Sequence, residues 1–259
     1  MLPTRDTEQL VKYKHVRIFL GVSRGVPYFA LGLKHDPIET GLLPKNDHVL
    51  LDLKTVALRL PGKHSTLLSY ARSLVYWNWR HQYCPNCGQV TQSSGAGHVR
   101  KCSDSKCDLL HFPRTDTAVI ALIKEGDACL LGRQPVWQPG LYAPLAGFLE
   151  PGETLEQAVA REAMEEAGVV LEQIVYHSSQ PWPFPSSIMV GFTATAQSRT
   201  LRIAQEELED ARWFTRGQIK HGLRGGTFRL PPPLSISYGL IRDWFEADGD
   251  FMLTPLKES

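Results

Sequence analysis

At 259 residues the chain has room for one large domain or two smaller ones. Its 42% hydrophobic and 21% charged content, with 21 glycines and 18 prolines, excludes collagen-like and disordered classes. Twenty-eight basic against twenty-seven acidic side chains leave a formal charge of +1, so no overall field draws the protein to nucleic acid or to an anionic membrane, and a phosphate-bearing partner has to be held by a local site.

The opening MLPTRDTEQLVKYK carries charges where a secretory signal needs an apolar stretch, and no later apolar run approaches about 18 residues. The LKES tail is neither a peroxisomal address nor a CaaX box. A cytoplasmic protein without a membrane partner is the expectation. Over residues 1–80, VRIFLGV, VPYFALGL and HVLLDL are bounded by turn-forming residues and read as strands. Ser65 then offers an N-cap to a helix over LLSYARSLVYWNW, with Leu68, Ala71, Val75 and Trp79 at helical spacing. An α+β unit without a catalytic motif is expected there.

Residues 81–112 are short of large apolar side chains and cannot bury a core of their own. Cys84-x2-Cys87 and Cys102-x4-Cys107 form two short loops whose thiolates can converge tetrahedrally on one Zn²⁺. Four protein ligands leave no open position, so this zinc ribbon is expected to be structural, its ion replacing the missing core. Four of five cysteines in one cluster also suit a reducing compartment better than a disulfide framework. The fifth, Cys129, stands between Ala128 and Leu130 and reads as a small core residue. A ribbon raises a second class of function, RNA binding. Arg100, Lys101, Lys106 and His98 are offset by Asp104 and Asp108, however, and no exposed aromatics are interleaved, which favours a structural staple.

Residues 113–259 form a third unit. TAVIALIK and ACLLGRQ pair around Gly126-Asp127, Gly140 to Gly152 is a loop, and Thr154 to Ala167 is a helix. Strands follow over 188–196 and 211–214, and Ser235 caps a last helix, ISYGLIRDWFEA. With Leu155 at zero on a wheel of about 100° per residue, Val159 falls at about 40°, Glu162 at about 340°, Glu166 at about 20° and Glu165 at about 280°. Glu162 and Glu166 therefore share the apolar face, where two carboxylates repel and lose hydration unless a cation compensates. Oxygen-only ligands select hard ions, Mg²⁺ or Mn²⁺, which bridge readily to phosphates. Arg161 is placed to orient an acid such as Glu153.

Gly147-x5-Glu153-x7-Arg161-Glu162-Ala163-x-Glu165-Glu166-x-Gly168-Val169 resembles the Nudix box in full. The resemblance implies a hydrolase in which water attacks a diphosphate linked to a nucleoside. Its fold class would be α+β: a Nudix α/β/α sandwich with an N-terminal α+β Nudix-like domain (1–80) and the ribbon between them. The resemblance assigns Glu162, Glu165 and Glu166 to the catalytic metals, with Ala146 and Glu207 as further ligands, and Glu153 and Arg161 to support of the site. Glu206, adjacent to Glu207, leaves that register open.

The ribbon together with Ser179-Gln180-Pro181-Trp182-Pro183-Phe184-Pro185-Ser186-Ser187 is similar to the NADH pyrophosphatase subfamily of the NudC type. Pro181, Pro183 and Pro185 stiffen this loop and hold Trp182 and Phe184 with little freedom left to lose. The resemblance implies substrate contacts at Gln180 through Ser187 and at Phe112, Phe148 and Ser237. Phe112 stands where a tyrosine is expected, and Ser237 where alanine is usual. The implied reaction is hydrolysis of NAD(H) to nicotinamide mononucleotide and AMP, and removal of an NAD cap from an RNA 5′ end. The chain would act as a homodimer, with no DNA partner. Other nucleoside diphosphate derivatives, such as ADP-ribose, are the alternative. A zinc-ribbon RNA-binding protein with a dead Nudix fold is disfavoured by the presence of every catalytic acid.

Overall fold

The computed structural model describes residues 10–56, 60, 62–247 and 252–253. The first nine residues and the LKES tail therefore lie outside it. Chain contacts divide it into two compact units, residues 1–115 with 182–186, and residues 116–181 with 187–259.

In the first unit β1 (Lys14–Ser23) and β2 (Val26–Leu33) form an antiparallel hairpin. HVLLDL does not become a third strand. Residues 48–52 are irregular, Val49, Leu50 and Leu51 are exposed, and the Asp52 carboxylate accepts from the Lys54 amide at the start of the short helix α1 (Leu53–Val56). An apolar run needs a partner edge to be a strand, and none of the described residues supplies one.

Helix α2 (Gly62–Arg80) begins three residues before Ser65. Ser65 is thus not the N-cap; it is buried in the first turn, its hydroxyl donating to the Leu60 carbonyl. Leu74, Trp77 and Asn78 form the buried face, with Val75 packed against the Val16, Ile18 and Leu74 cluster, while Trp79 points outward. The ribbon is a three-stranded sheet of β3 (Thr91–Ser94), β4 (Val99–Cys102) and β5 (Leu110–His111). It is keyed to α2 by Arg100. That buried guanidinium donates to the Thr91 hydroxyl and carbonyl at 2.7 Å each and to Asn78 Oδ1 at 3.2 Å. Asn78 in turn donates to the Gly97 carbonyl at 2.8 Å.

The second unit is built on a mixed sheet in which β11 (Asp210–Thr215) leads the order β11-β7-β6-β10-β9. One edge of β6 (Asp116–Glu125) takes β10 (Ser187–Ala196) in parallel. The other takes β8 (Leu145–Phe148) over 118–121 and β7 (Ala128–Arg133) over 123–125, both antiparallel. Strand alternation sends Val119, Ala121 and Ile123 to one face and Ile120 and Leu122 to the other. The first face packs against α3 (Leu155–Ala167) through Ala158, Val159 and Ala163. The second, which includes Cys129, packs against α4 (Arg216–Gly225) and α5 (Ile236–Glu246). Two apolar faces covered by helices make the α/β/α sandwich. Strand β8 lies inside the stretch 140–152 read as a loop, and strand β9 (Leu171–Trp182), with half of its residues exposed, and helix α4 escape the sequence patterns, although Thr215 and Gln218 form a capping box for α4. Among the described residues no helix is long and apolar enough to cross a membrane.

Candidate active site and metal centres

Helix α3 starts at a capping box, with the Thr154 hydroxyl accepting from the Gln157 amide and the Gln157 side chain from Thr154 N–H, a device worth about 1 kcal/mol. It ends at Gly168, whose φ of 69° is left-handed and favours glycine. Between these ends the acids fall as the wheel requires. Glu162 and Glu166 face the sheet, and Glu207 joins them from the 201–209 connection, with ligand atoms of all three within 4.8 Å of one another. Glu207, not Glu206, belongs to the group. Glu165 stays apart: its side chain is largely exposed, and its one described bond is a 3.0 Å contact from Arg161 Nη1. A turn of about 100° away from Glu166 accounts for that.

Arg161 spends all five of its donors here. Nε and Nη2 hold Glu153 in a fork at 2.6 and 3.0 Å, and Nη1 reaches Glu162 at 2.9 Å as well as Glu165. Nη2 also donates to the Phe148 carbonyl at 2.8 Å, tying the end of β8 to α3. Arg161 holds the Glu153 carboxyl below its ordinary range. Burial raises that of Glu162 against the pull of Arg161. Among the described residues no cation pairs with Glu166. It is 6% exposed, its Oε2 is buried without a hydrogen-bond partner, and burial, Glu162 and Glu207 push its pKa up to about 8. The cluster is short of positive charge at one oxygen-lined point, which fits a hard divalent ion.

The strand under these acids is cut to receive them. Ala146 pairs with Ile120, Gly147 lies directly beneath Glu162, and Phe148 follows with its ring 59% exposed. Ser237 lies in the first turn of α5, 8% exposed, with a buried hydroxyl lacking a partner. The Gln180 amide is committed to the backbone of that segment, donating to the Leu234 carbonyl at 2.6 Å and accepting from Ile236 N–H at 2.7 Å. It therefore anchors the helix start. Pro181 is exposed, and Ser187 is a buried strand residue opposite Asp116.

The first unit contains the other sites. In the ribbon, Cys84 and Cys107 sulfurs are 3.8 Å apart and those of Cys87 and Cys102 3.4 Å. These are near the edge of about 3.8 Å of a tetrahedron with Zn–S bonds of about 2.3 Å. Asn86 donates to Cys107 and lowers its thiol pKa to about 7. Four convergent sulfurs with one thiol already inclined to ionise fit Zn²⁺. Phe112, just after the ribbon, has an exposed ring. Residues 182–186 are gripped by Arg72 of α2, which donates to the Pro183 carbonyl and, at 3.1 Å, to that of Pro185 while lying 4.9 Å over the Phe184 ring. Trp182 meets Phe184 edge-on at 5.3 Å; Pro183 is buried, Pro185 is exposed and Ser186 is half-buried. No sequence motif announces Arg72, and its partners lie 111 and 113 positions away.

Residues 113–231 match the family model of the NUDIX domain, 1–77 that of the NADH pyrophosphatase-like rudimentary NUDIX domain, and 80–112 that of the NADH pyrophosphatase zinc ribbon domain. The chain is 40% identical over 233 residues to the NAD-capped RNA hydrolase NUDT12 of Homo sapiens, covering 85% of this chain and 50% of that protein. It is 36% identical over 236 residues to the mitochondrial NAD(P)H pyrophosphatase NUDT13 of Mus musculus, covering 83% and 66%. The chain thus spans about half the length of the human relative. A NUDIX hydrolase structure from Nitrosomonas europaea shares the fold, with a TM-score of 0.52, 21% identity, and coverage of 66% of this chain and 94% of that one.

Proposed function

The chain belongs to the Nudix hydrolase superfamily, with the ribbon and N-terminal domain of the NADH pyrophosphatases, and on that premise we propose that it hydrolyses the diphosphate of NAD(H) to nicotinamide mononucleotide and AMP, and removes NAD caps from RNA 5′ ends. The observation that carries this reading is the cluster of Glu162, Glu166 and Glu207 at the point where Arg161 leaves Glu166 without a counter-charge. A divalent ion held there, Mg²⁺ or Mn²⁺, supplies charge neutralisation at the diphosphate and a lowered pKa for water.

The chain's own residues do the rest. Arg161 fixes Glu153 and Glu162 and, through the Phe148 carbonyl, the strand end beside them. By the family resemblance Ala146, on the strand paired with Ile120, would be a further ligand of such an ion. Phe148 offers a stacking face at the edge of the site. The Gln180 side chain holds the α5 start that carries Ser237. Water adds to one phosphorus and loses its proton to solvent, the P–O–P bridge breaks, and the bridging oxygen leaves with the electron pair on the departing phosphate. Two relatives named for NAD-capped RNA and NAD(P)H support this substrate class.

The test is kcat/KM for NADH, NAD⁺, NAD-capped RNA and ADP-ribose with Mg²⁺ or Mn²⁺. Preference for the three NAD-bearing substrates is expected, and preference for ADP-ribose would reject the assignment. The proposal includes a homodimer, since symmetric pairs are the commonest oligomers and the N-terminal unit carries no motif for chemistry. Light scattering giving the monomer mass of 29.0 kDa at micromolar concentration would reject that part.

A further inference from the structure

We infer that Arg133, outside the Nudix box, is the positioning residue that sets Glu207 in the acid cluster; this rests on the reading of that cluster as a divalent-ion site. Glu162 and Glu166 are placed by a capped helix, but Glu207 comes from an irregular connection and needs anchors of its own. On its leading side, Arg202 N–H donates to the Ala167 carbonyl at 2.8 Å and Ala204 N–H to that of Glu166 at 2.9 Å. Both carbonyls belong to the last turn of α3, so this end moves with the two helix acids. The Glu207 and Leu208 amides then turn back onto the Ala204 carbonyl at 3.0 Å each.

The trailing side is held by Arg133, the last residue of β7. Its carbonyl accepts from Glu209 N–H at 2.9 Å, and its guanidinium pairs with the Glu209 carboxylate. Leu208, between the two acids, is buried against Gly132, where a Cβ would approach its Cδ1 to 3.2 Å. The Arg133 side chain is 12% exposed, and Nη2 donates to the Trp137 carbonyl at 2.9 Å. The buried guanidinium holds its own geometry, and its pair with the half-exposed Glu209 therefore fixes position more than it adds stability. Backbone and side chain of one residue thus grip the chain two positions beyond Glu207, and slack there would move the Glu207 carboxylate relative to its two partners.

The readout is Mn²⁺ binding to the zinc-loaded protein, followed by electron paramagnetic resonance without substrate. Removing the partner that orients a metal-holding residue costs about tenfold to a hundredfold in metal affinity. Arg133→Ala and Glu209→Gln should each weaken Mn²⁺ binding to that extent, Arg133→Lys by less, and Arg133→Ala should add nothing in a Glu207→Gln background. Glu209→Gln alters one half-exposed side chain and keeps the test open if Arg133→Ala does not fold. Wild-type Mn²⁺ affinity in Glu209→Gln, or additive losses with Glu207→Gln, would overturn the inference. Because no diphosphate is present, the result stands or falls independently of which one the enzyme cleaves.

Discussion

Gly147 and Glu162 compete for the same space: a Cβ on Gly147 would stand 1.8 Å from both Cδ and Oε1 of Glu162. The obstacle meets the carboxyl carbon on a side chain held by Arg161, so it cannot swing aside without breaking the 2.9 Å contact. Gly147→Ala is therefore expected to displace Glu162 and lower kcat for NADH by about a hundredfold or more, as for loss of an ion-holding charge. Circular dichroism should show the fold retained, because Gly147 is on the site face of β8. Near wild-type turnover in a folded Gly147→Ala protein would contradict the geometry.

Glu166 ties stability to pH. Its pKa rises from an ordinary 4.5 to about 8 in the folded chain, chiefly through burial. Below about pH 4.5 both folded and unfolded chains hold the proton and nothing is lost. Between there and about 8 only the unfolded chain ionises, so stability falls as pH rises, by at most about 1.4 kcal/mol per pH unit. Zinc-loaded protein without Mn²⁺ should thus lose thermal stability from pH 5 to pH 8, and Mn²⁺ should restore more at pH 8 than at pH 5. Glu166→Gln should flatten the trend and lower kcat by at least about a hundredfold. Equal pH slopes in the two proteins would reject the assignment.

How much of this was legible in the sequence depends on the range of the interaction. The positions of Glu162 and Glu166 follow from helical periodicity, and the β6–β7 turn from Gly126-Asp127, because each is decided within a few residues. HVLLDL failed for the opposite reason: its local pattern suits a strand, but strand formation needs a distant edge. Ser65 looked like a cap because Ser, Thr, Asp and Asn share that signal, yet the helix begins at Gly62. Glu207 could be narrowed only to two adjacent acids, since its register is set by Arg133, 76 positions upstream of Glu209. The grip of Arg72 on the proline-rich turn is equally non-local.

The ribbon should hold one zinc per chain, bound by Cys84, Cys87, Cys102 and Cys107. The ribbon buries little besides Cys84, Thr91, Gly97, Arg100 and Cys102, so metal binding supplies most of the free energy that orders it. Elemental analysis should find about one equivalent, and Cys102→Ser should lose both zinc and activity through unfolding. Less than half an equivalent in carefully prepared protein, or undiminished stability of Cys102→Ser, would count against a structural ion.

Substitution of Phe148 would test NAD(H) against other diphosphates. Its ring is 59% exposed, directly beyond the glycine under Glu162, while its carbonyl is held by Arg161. The backbone is thus fixed by the catalytic helix and the ring left free, an arrangement that suits stacking on a flat base. Such stacking is worth roughly 1 to 3 kcal/mol per base, so Phe148→Ala should lower kcat/KM for NADH by about fivefold to a hundredfold. The backbone anchor is unaffected by the change, so Mn²⁺ affinity should not move. ADP-ribose keeps the diphosphate and the adenine but lacks nicotinamide. If the ring faces nicotinamide, its cleavage should stay nearly constant while that of NADH falls. Equal losses on both substrates would place the ring against the shared adenosine half, and no loss on either would remove Phe148 from the substrate site.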